Sequence, residues 1–167
     1  MNIRSSFLIL VLFLAGSAPA FRGNTIPNFK LPDLGNEPVE LKKLLARGPV
    51  LIDFWATWCK PCISYFPLLQ RWHEKYGAAG LTVVAINEDG PRSLAKVKPF
   101  VRSLRVGFTV LLDENGEVMR LLRVQNLPTS FLIAPDGTVA ATHAGFTEES
   151  AIAVEAGIGR LLPKLNQ

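Results

Sequence analysis

Cys59 and Cys62 are the only cysteines among 167 residues, and they stand between an apolar run and a helical repeat. Upstream, Val50-Leu51-Ile52-Asp53-Phe54-Trp55 is almost wholly apolar, the pattern of a strand covered on both faces. Downstream, Ile63, Phe66, Leu69 and Trp72 or His73 recur at helical spacing until Gly77. Such a chain must set the strand inside a sheet and carry the cysteine pair on a strand-to-helix turn. The first turn of a helix has unpaired N–H groups and the positive end of the macrodipole, both of which favour an anion. A thiol there ionises more readily, and the thiolate is the reactive form. Pro61 suits a helix start, where its missing N–H costs nothing, and Lys60 adds a positive charge beside the thiolate. The spacing puts the second sulfur one helical turn away, close enough to close a small disulfide ring.

Three other uses of the pair compete with redox chemistry. A structural disulfide here closes a very short loop and restricts the unfolded chain little. A zinc or copper site needs about four ligands, and the two histidines, His73 and His143, do not stand at a paired-ligand spacing. A metal carrier using Cys59, Cys62 and His143 is the form that alternative takes. Two inert buried thiols fit poorly with an exposed turn. A redox-active pair, with no metal and no cofactor, is the reading that spacing and setting favour. Two cysteines also exclude a multi-bridge disulfide scaffold.

The first twenty residues differ from the rest. Arg4, the apolar run over residues 7–15 and the small residues Ala18-Pro19-Ala20 follow the three-part signal-peptide pattern, with cleavage expected after Ala20. The run is about half of the roughly 18–20 residues that span a bilayer as a helix, and a retained anchor is the alternative. Residues 21–167 then form one domain in a periplasmic or other extracytoplasmic space, where disulfides persist. Hydrophobic residues at 49% and charged residues at 19% exclude a mainly disordered chain. The net charge of +4 is spread along the sequence instead of gathered into a basic stripe, which argues against nucleic acid as a partner.

Pro27, Pro32 and Pro38 make residues 21–40 an extended lead-in with one short strand near residues 29–31. A short helix over 41–47, strands over 81–87 and 109–112, and helices over 93–104 and 117–124 follow. Pro135-Asp136-Gly137 joins strands over 130–134 and 138–144 into a hairpin. An amphipathic helix over 148–162 closes the chain. Helices alternating with strands, then an antiparallel hairpin, give an α/β sandwich with a mixed central sheet.

Val50-Leu51-Ile52-Asp53-Phe54-Trp55-Ala56-Thr57-Trp58-Cys59-Lys60-Pro61-Cys62 resembles the active-site segment of thioredoxins, and Leu127-Pro128-Thr129-Ser130-Phe131-Leu132-Ile133 resembles their cis-proline segment. The leader, the lead-in Ile26-Pro27-Asn28-Phe29-Lys30-Leu31-Pro32-Asp33-Leu34 and the long stretch between the two motifs resemble the exported TlpA/ResA branch. The similarity runs over residues 25–162. It implies a thioredoxin-like three-layer sandwich, a mixed central β-sheet flanked by helices. It also implies thiol–disulfide exchange with client proteins bearing thiols or disulfides. A peroxide-reducing enzyme on a related fold lacks support, because its peroxidatic cysteine does not use this two-residue partner arrangement.

The resemblance further implies a cis bond before Pro128, where composition alone favours trans because only about 5–6% of X–Pro bonds are cis. Leu127, Pro128 and Thr129 are then expected to bind the client, with the Leu127 backbone pairing in strand-like fashion. Trp58 is expected on the exposed rim, and Trp55 in the core. Asp53 is an acid in an apolar strand. Buried and unpaired, it should have a raised pKa, and a carboxyl poised near neutrality passes protons; a solvent-facing strand position is the alternative. In thioredoxins the matching residue lies behind the second cysteine and exchanges a proton with it. Many exported relatives carry a different residue there, so this chain departs toward the thioredoxin pattern. Lys60, Pro61 and Glu88 are the expected redox-tuning residues, with a solvated loop as the alternative for Glu88. The resemblance implies a monomeric reductase, for example of apocytochrome c, recharged by a membrane thiol–disulfide carrier. A DsbA-like oxidant or isomerase is the alternative.

Overall fold

The computed structural model describes residues 24–162; the signal-peptide reading of residues 1–20 falls outside them. In chain order the elements are β1 (Lys30–Pro32), β2 (Pro38–Glu40), α1 (Leu41–Leu45), β3 (Val50–Trp55), α2 (Lys60–Tyr76) and β4 (Thr82–Asn87). Then come α3 (Leu94–Leu104), β5 (Thr109–Leu112), α4 (Glu117–Leu121), β6 (Thr129–Ile133), β7 (Val139–Ala144) and α5 (Glu148–Leu161). β1 and β2 make a separate antiparallel ribbon. The main sheet runs β5-β4-β3-β6-β7, with β3, β4 and β5 parallel and β6 and β7 antiparallel to their neighbours.

β3 is central, flanked by β4 and β6, and every one of its six residues is buried. Its side chains alternate between two cores. Leu51 and Trp55 join Cys62, Phe66, Leu69 and Trp72 of α2, with Val97 of α3 and Ile158 of α5. Val50, Ile52 and Phe54 join Leu31, Leu41, Leu45 and Val118 on the opposite face. The result is three layers, with α2, α3 and α5 on one face and α1, α4 and the ribbon on the other. That is the thioredoxin-like sandwich expected from the two motifs.

The elements differ from the sequence reading mostly at their ends. α4 stops at Leu121 instead of residue 124, because Arg123 takes a left-handed conformation (φ 56°) and the Val124 N–H reaches back to Met119 O at 3.0 Å, which closes the helix end. β2 was not visible in the sequence at all. It is three residues long, begins with a proline and pairs only with β1, so no alternation marks it. Among the described residues no helix is long and apolar enough to cross a membrane.

Candidate active site

The chain leaves the C-terminal end of β3, runs through Ala56, Thr57 and Trp58, and enters α2. Cys59 is the N-cap of that helix, in extended conformation, and its Sγ accepts the Cys62 N–H at 3.3 Å. The two sulfurs form a disulfide with the Cα atoms 5.3 Å apart. Pro61 stands in the first turn, where no carbonyl waits for an amide, and Lys60 and Pro61 are both exposed.

The turn is less open than the sequence suggested. Cys59 keeps only 4% of its surface exposed and Cys62 none. Both cysteines belong to the core cluster that includes Trp55, Tyr65 and Phe66, with Leu127 packed against it. The neighbouring Trp58, by contrast, is 68% exposed and forms the rim. Trp55 lies in the core against Phe66 and Phe100.

Asp53 belongs to the set of β3 side chains that face α2, between Leu51 and Trp55. It is fully buried, which overturns the solvent-facing alternative: neighbouring strands close both its edges and helices close both faces. The Ser130 hydroxyl, from the paired position on β6, donates to its Oδ1 at 2.7 Å, while Oδ2 has no partner. Burial pushes the carboxyl up to about 8, with the Ser130 hydrogen bond opposing. Tyr65, one turn along α2 from Cys62, has its hydroxyl pKa raised first by burial and then by the Asp53 charge. The structure thus brings a proton-holding carboxyl beneath the helix that carries the cysteines.

The Leu127–Pro128 peptide is cis. Leu127 is half-buried and packs against the core cluster that contains both cysteines. Pro128 and Thr129 are buried; the Pro128 carbonyl accepts the Gly145 N–H at 2.8 Å, and the Thr129 hydroxyl donates to Asn126 O at 2.7 Å. Of the four residues expected to meet a client, Trp58 and Leu127 therefore offer side-chain surface.

Glu88 is half-buried, and the structure joins it to Asp113 and Arg120 instead of the cysteine pair. Burial raises its pKa to about 8, the Asp113 charge and hydrogen bond add to this, and Arg120 opposes. Its Oε2 lies 3.8 Å from the Cβ position of Gly116, at the start of α4. The acidic neighbour that does reach the cysteine loop is Asp89, which binds Thr57 through both carboxylate oxygens. The sequence reading set that role on Glu88, one residue earlier, with a solvated loop as the alternative. The signal that could have found Asp89 is position: polar residues just past the carboxyl end of a buried parallel strand, where sites in open α/β sheets gather. His143 stands on β7 opposite Ser130. Among the described residues no three His, Cys, Asp or Glu side chains are grouped to hold a metal ion, so Cys59, Cys62 and His143 do not form the carrier site weighed above.

Residues 22–142 match the AhpC/TSA family. The chain belongs to that family. Among its relatives, the thiol-disulfide oxidoreductase ResA of Bacillus subtilis is 37% identical over 138 residues, covering 83% of this chain and 75% of ResA. A Chlorobium tepidum protein described as the thiol:disulfide interchange protein DsbE is 36% identical in structure-based comparison. Its TM-score is 0.77, and the match covers 84% of this chain and 96% of that one. The peroxidoxin BcpB of Mycobacterium tuberculosis shares the fold, with a TM-score of 0.70, 23% identity, and coverage of 83% of this chain and 94% of that one. Fold alone therefore does not select the chemistry within AhpC/TSA proteins. The Cys-x-x-Cys pair and the ResA likeness do: this AhpC/TSA member is a thioredoxin-like thiol–disulfide oxidoreductase.

Proposed function

We propose that this oxidoreductase works outside the cytoplasmic membrane as a reductase of client disulfides, apocytochrome c among them, and is recharged by a membrane thiol–disulfide carrier. The observation that carries the reading is the Cys59–Cys62 disulfide at the start of α2 above the buried, half-unpaired Asp53. The ResA and DsbE names of its relatives support the client type, and the leader pattern in residues 1–20 supports export.

In the reducing cycle the Cys59 thiolate attacks one sulfur of a client disulfide. A Cys59–client bond forms, and the client's other sulfur leaves as a thiolate that takes a proton. In the fraction of molecules whose Asp53 has released its own proton, Cys62 passes its proton to Asp53 Oδ2 and attacks Cys59 Sγ. The Cys59–Cys62 bond forms, the second client sulfur is released, and two electrons have moved to the client. A dithiol carrier returns two electrons to restart the cycle. Run backwards, the same steps oxidise a client. Trp58 and Leu127 border the reacting sulfurs and supply the docking surface.

Direction depends on potential. Thioredoxin and DsbA differ by roughly 150 mV, about 7 kcal/mol, on similar folds. Lys60 favours the thiolate and so raises the potential, but it is exposed, and one exposed charge has a small effect. A glutathione redox titration is expected to place the pair toward the thioredoxin end, and the purified domain should reduce insulin disulfides. A potential near that of DsbA, together with rapid oxidation of reduced peptides and no insulin reduction, would establish the oxidant instead. Cys62→Ser should accumulate a mixed disulfide at Cys59, which identifies the client directly.

A further inference from the structure

We propose that Asp89 is the positioning residue of the nucleophile loop, holding Thr57 so that the turn into Cys59 keeps its geometry when the disulfide opens. The inference rests on Cys59 being the attacking sulfur. Asp89 is 1% exposed and lies two residues past the end of β4. Its Oδ2 accepts the Thr57 N–H and the Asn87 side-chain amide, each at 2.7 Å, and its Oδ1 accepts the Thr57 hydroxyl at 2.6 Å. Its own N–H donates to Asn87 Oδ1 at 3.2 Å, which fixes the turn from which the carboxylate projects. One residue earlier, the Glu88 N–H donates to Trp55 O at 2.8 Å. Residues 88 and 89 thus grip residues 55 and 57, and Cys59 follows two positions on, its N–H donating to Ala56 O at 3.0 Å.

The two buried aspartates near the pair are built for opposite tasks. Asp53 leaves one oxygen without a donor, the arrangement of a group that takes up a proton. Asp89 has both oxygens occupied by donors, one of them a main-chain amide, the arrangement of a clasp. Hydrogen bonds to a carboxylate are shorter and stronger than neutral ones. The need for a clasp follows from the chemistry. In the oxidised protein the disulfide itself braces the turn against α2. Once it is reduced, the Cys62 N–H must still meet Cys59 Sγ for the helix end to stabilise the thiolate. Something outside the pair has to hold the loop, and β4 does so through Asp89.

The test uses the full domain with Asp89→Ala, Asp89→Asn, Thr57→Val and Thr57→Ser. The readouts are the pH dependence of Cys59 alkylation in the reduced protein, the equilibrium potential against glutathione, insulin reduction, and thermal unfolding. Asp89→Ala should slow Cys59 alkylation at neutral pH by at least about tenfold and move its midpoint upward. Thr57→Val should act in the same direction by less, and Thr57→Ser should restore wild-type behaviour. Asp89→Asn keeps an acceptor for the Thr57 N–H, and its amide can donate to the Thr57 oxygen, so it should stay near wild type. The proposal is overturned if Asp89→Ala melts earlier but titrates and reduces as wild type does. It is equally overturned if Asp89→Asn matches Asp89→Ala while Thr57→Val is silent, since charge and not position would then be at work. If Asp89→Ala does not fold, the Thr57 pair decides by the same criteria. A wild-type Cys59 that alkylates no faster than an ordinary thiol would instead sink the proposed function.

Discussion

The Asp53 carboxyl enters the folded state without a charge, and that has a consequence for stability apart from any role in exchange. Its pKa rises from 3.8 to about 8 on folding because burial disfavours the ionised form. Below pH 4 both states hold the proton. Between pH 4 and 8 the unfolded chain releases it and the folded chain does not, so stability falls as pH rises across that window and levels off above it. Asp53→Asn removes this loss and should stabilise the oxidised protein by about 4 kcal/mol at pH 7, with little change at pH 4. Guanidinium unfolding of both proteins at pH 4, 7 and 8.5 checks the difference; parallel pH profiles would mean that the carboxyl ionises when folded. The same substitution should slow the attack of Cys62 that resolves the Cys59–client mixed disulfide, seen as a lower turnover with unchanged Cys59 alkylation. Asp53 was legible in the sequence because an acid interrupts an apolar strand. Asp89 was not, because its partners are a main-chain amide and a hydroxyl 32 positions away, and such bonds leave no spacing in the sequence.

Within α5 two glycines separated by one residue face different surroundings. Gly159 has nothing within 4 Å of where a Cβ would stand, whereas at Gly157 that Cβ would lie 2.8 Å from Leu132 Cδ2. Gly159→Ala should therefore gain about 0.5–1 kcal/mol from helix propensity and a less free unfolded chain. Gly157→Ala earns the same gain but must displace the buried Leu132 of β6, and should lose about 1 kcal/mol net. Chemical denaturation midpoints moving in opposite directions are the expected result, and equal stabilisation would show that Leu132 has room to turn. The helix itself was readable from its amphipathic period; the structure adds Thr147, whose side chain accepts the Ser150 N–H in a capping box. Of the ribbon, β1 was read as the short strand near residues 29–31, but β2 was not, because a three-residue strand that opens on a proline carries no alternating pattern. The starts of β3 and α2 fell where the apolar run and the cysteine cap put them, since those signals are local.

At the scale of the molecule, alternation of helices and strands announced an α/β sandwich and the thioredoxin resemblance its three layers, but strand order and register were beyond the sequence, for they arise from contacts between distant segments. That order is what divides the protein into two cores with different duties. β3 turns Leu51, Asp53 and Trp55 toward the helix bearing the cysteines and Val50, Ile52 and Phe54 toward α1, α4 and the ribbon. The face away from α2 can then carry stability without setting the geometry of the sulfurs. Ile133 of β6 and Leu69 of α2 are both fully buried, one in each core. Each truncation to alanine should cost about 2–5 kcal/mol. Leu69→Ala loosens the seat of α2 and should also shift the pH midpoint of Cys59 alkylation upward and lower insulin reduction. Ile133→Ala should leave both unchanged at temperatures well below its melting point. If Ile133→Ala moves the Cys59 midpoint as far as Leu69→Ala does, the sheet transmits strain between its faces and the division of labour is not built into the fold.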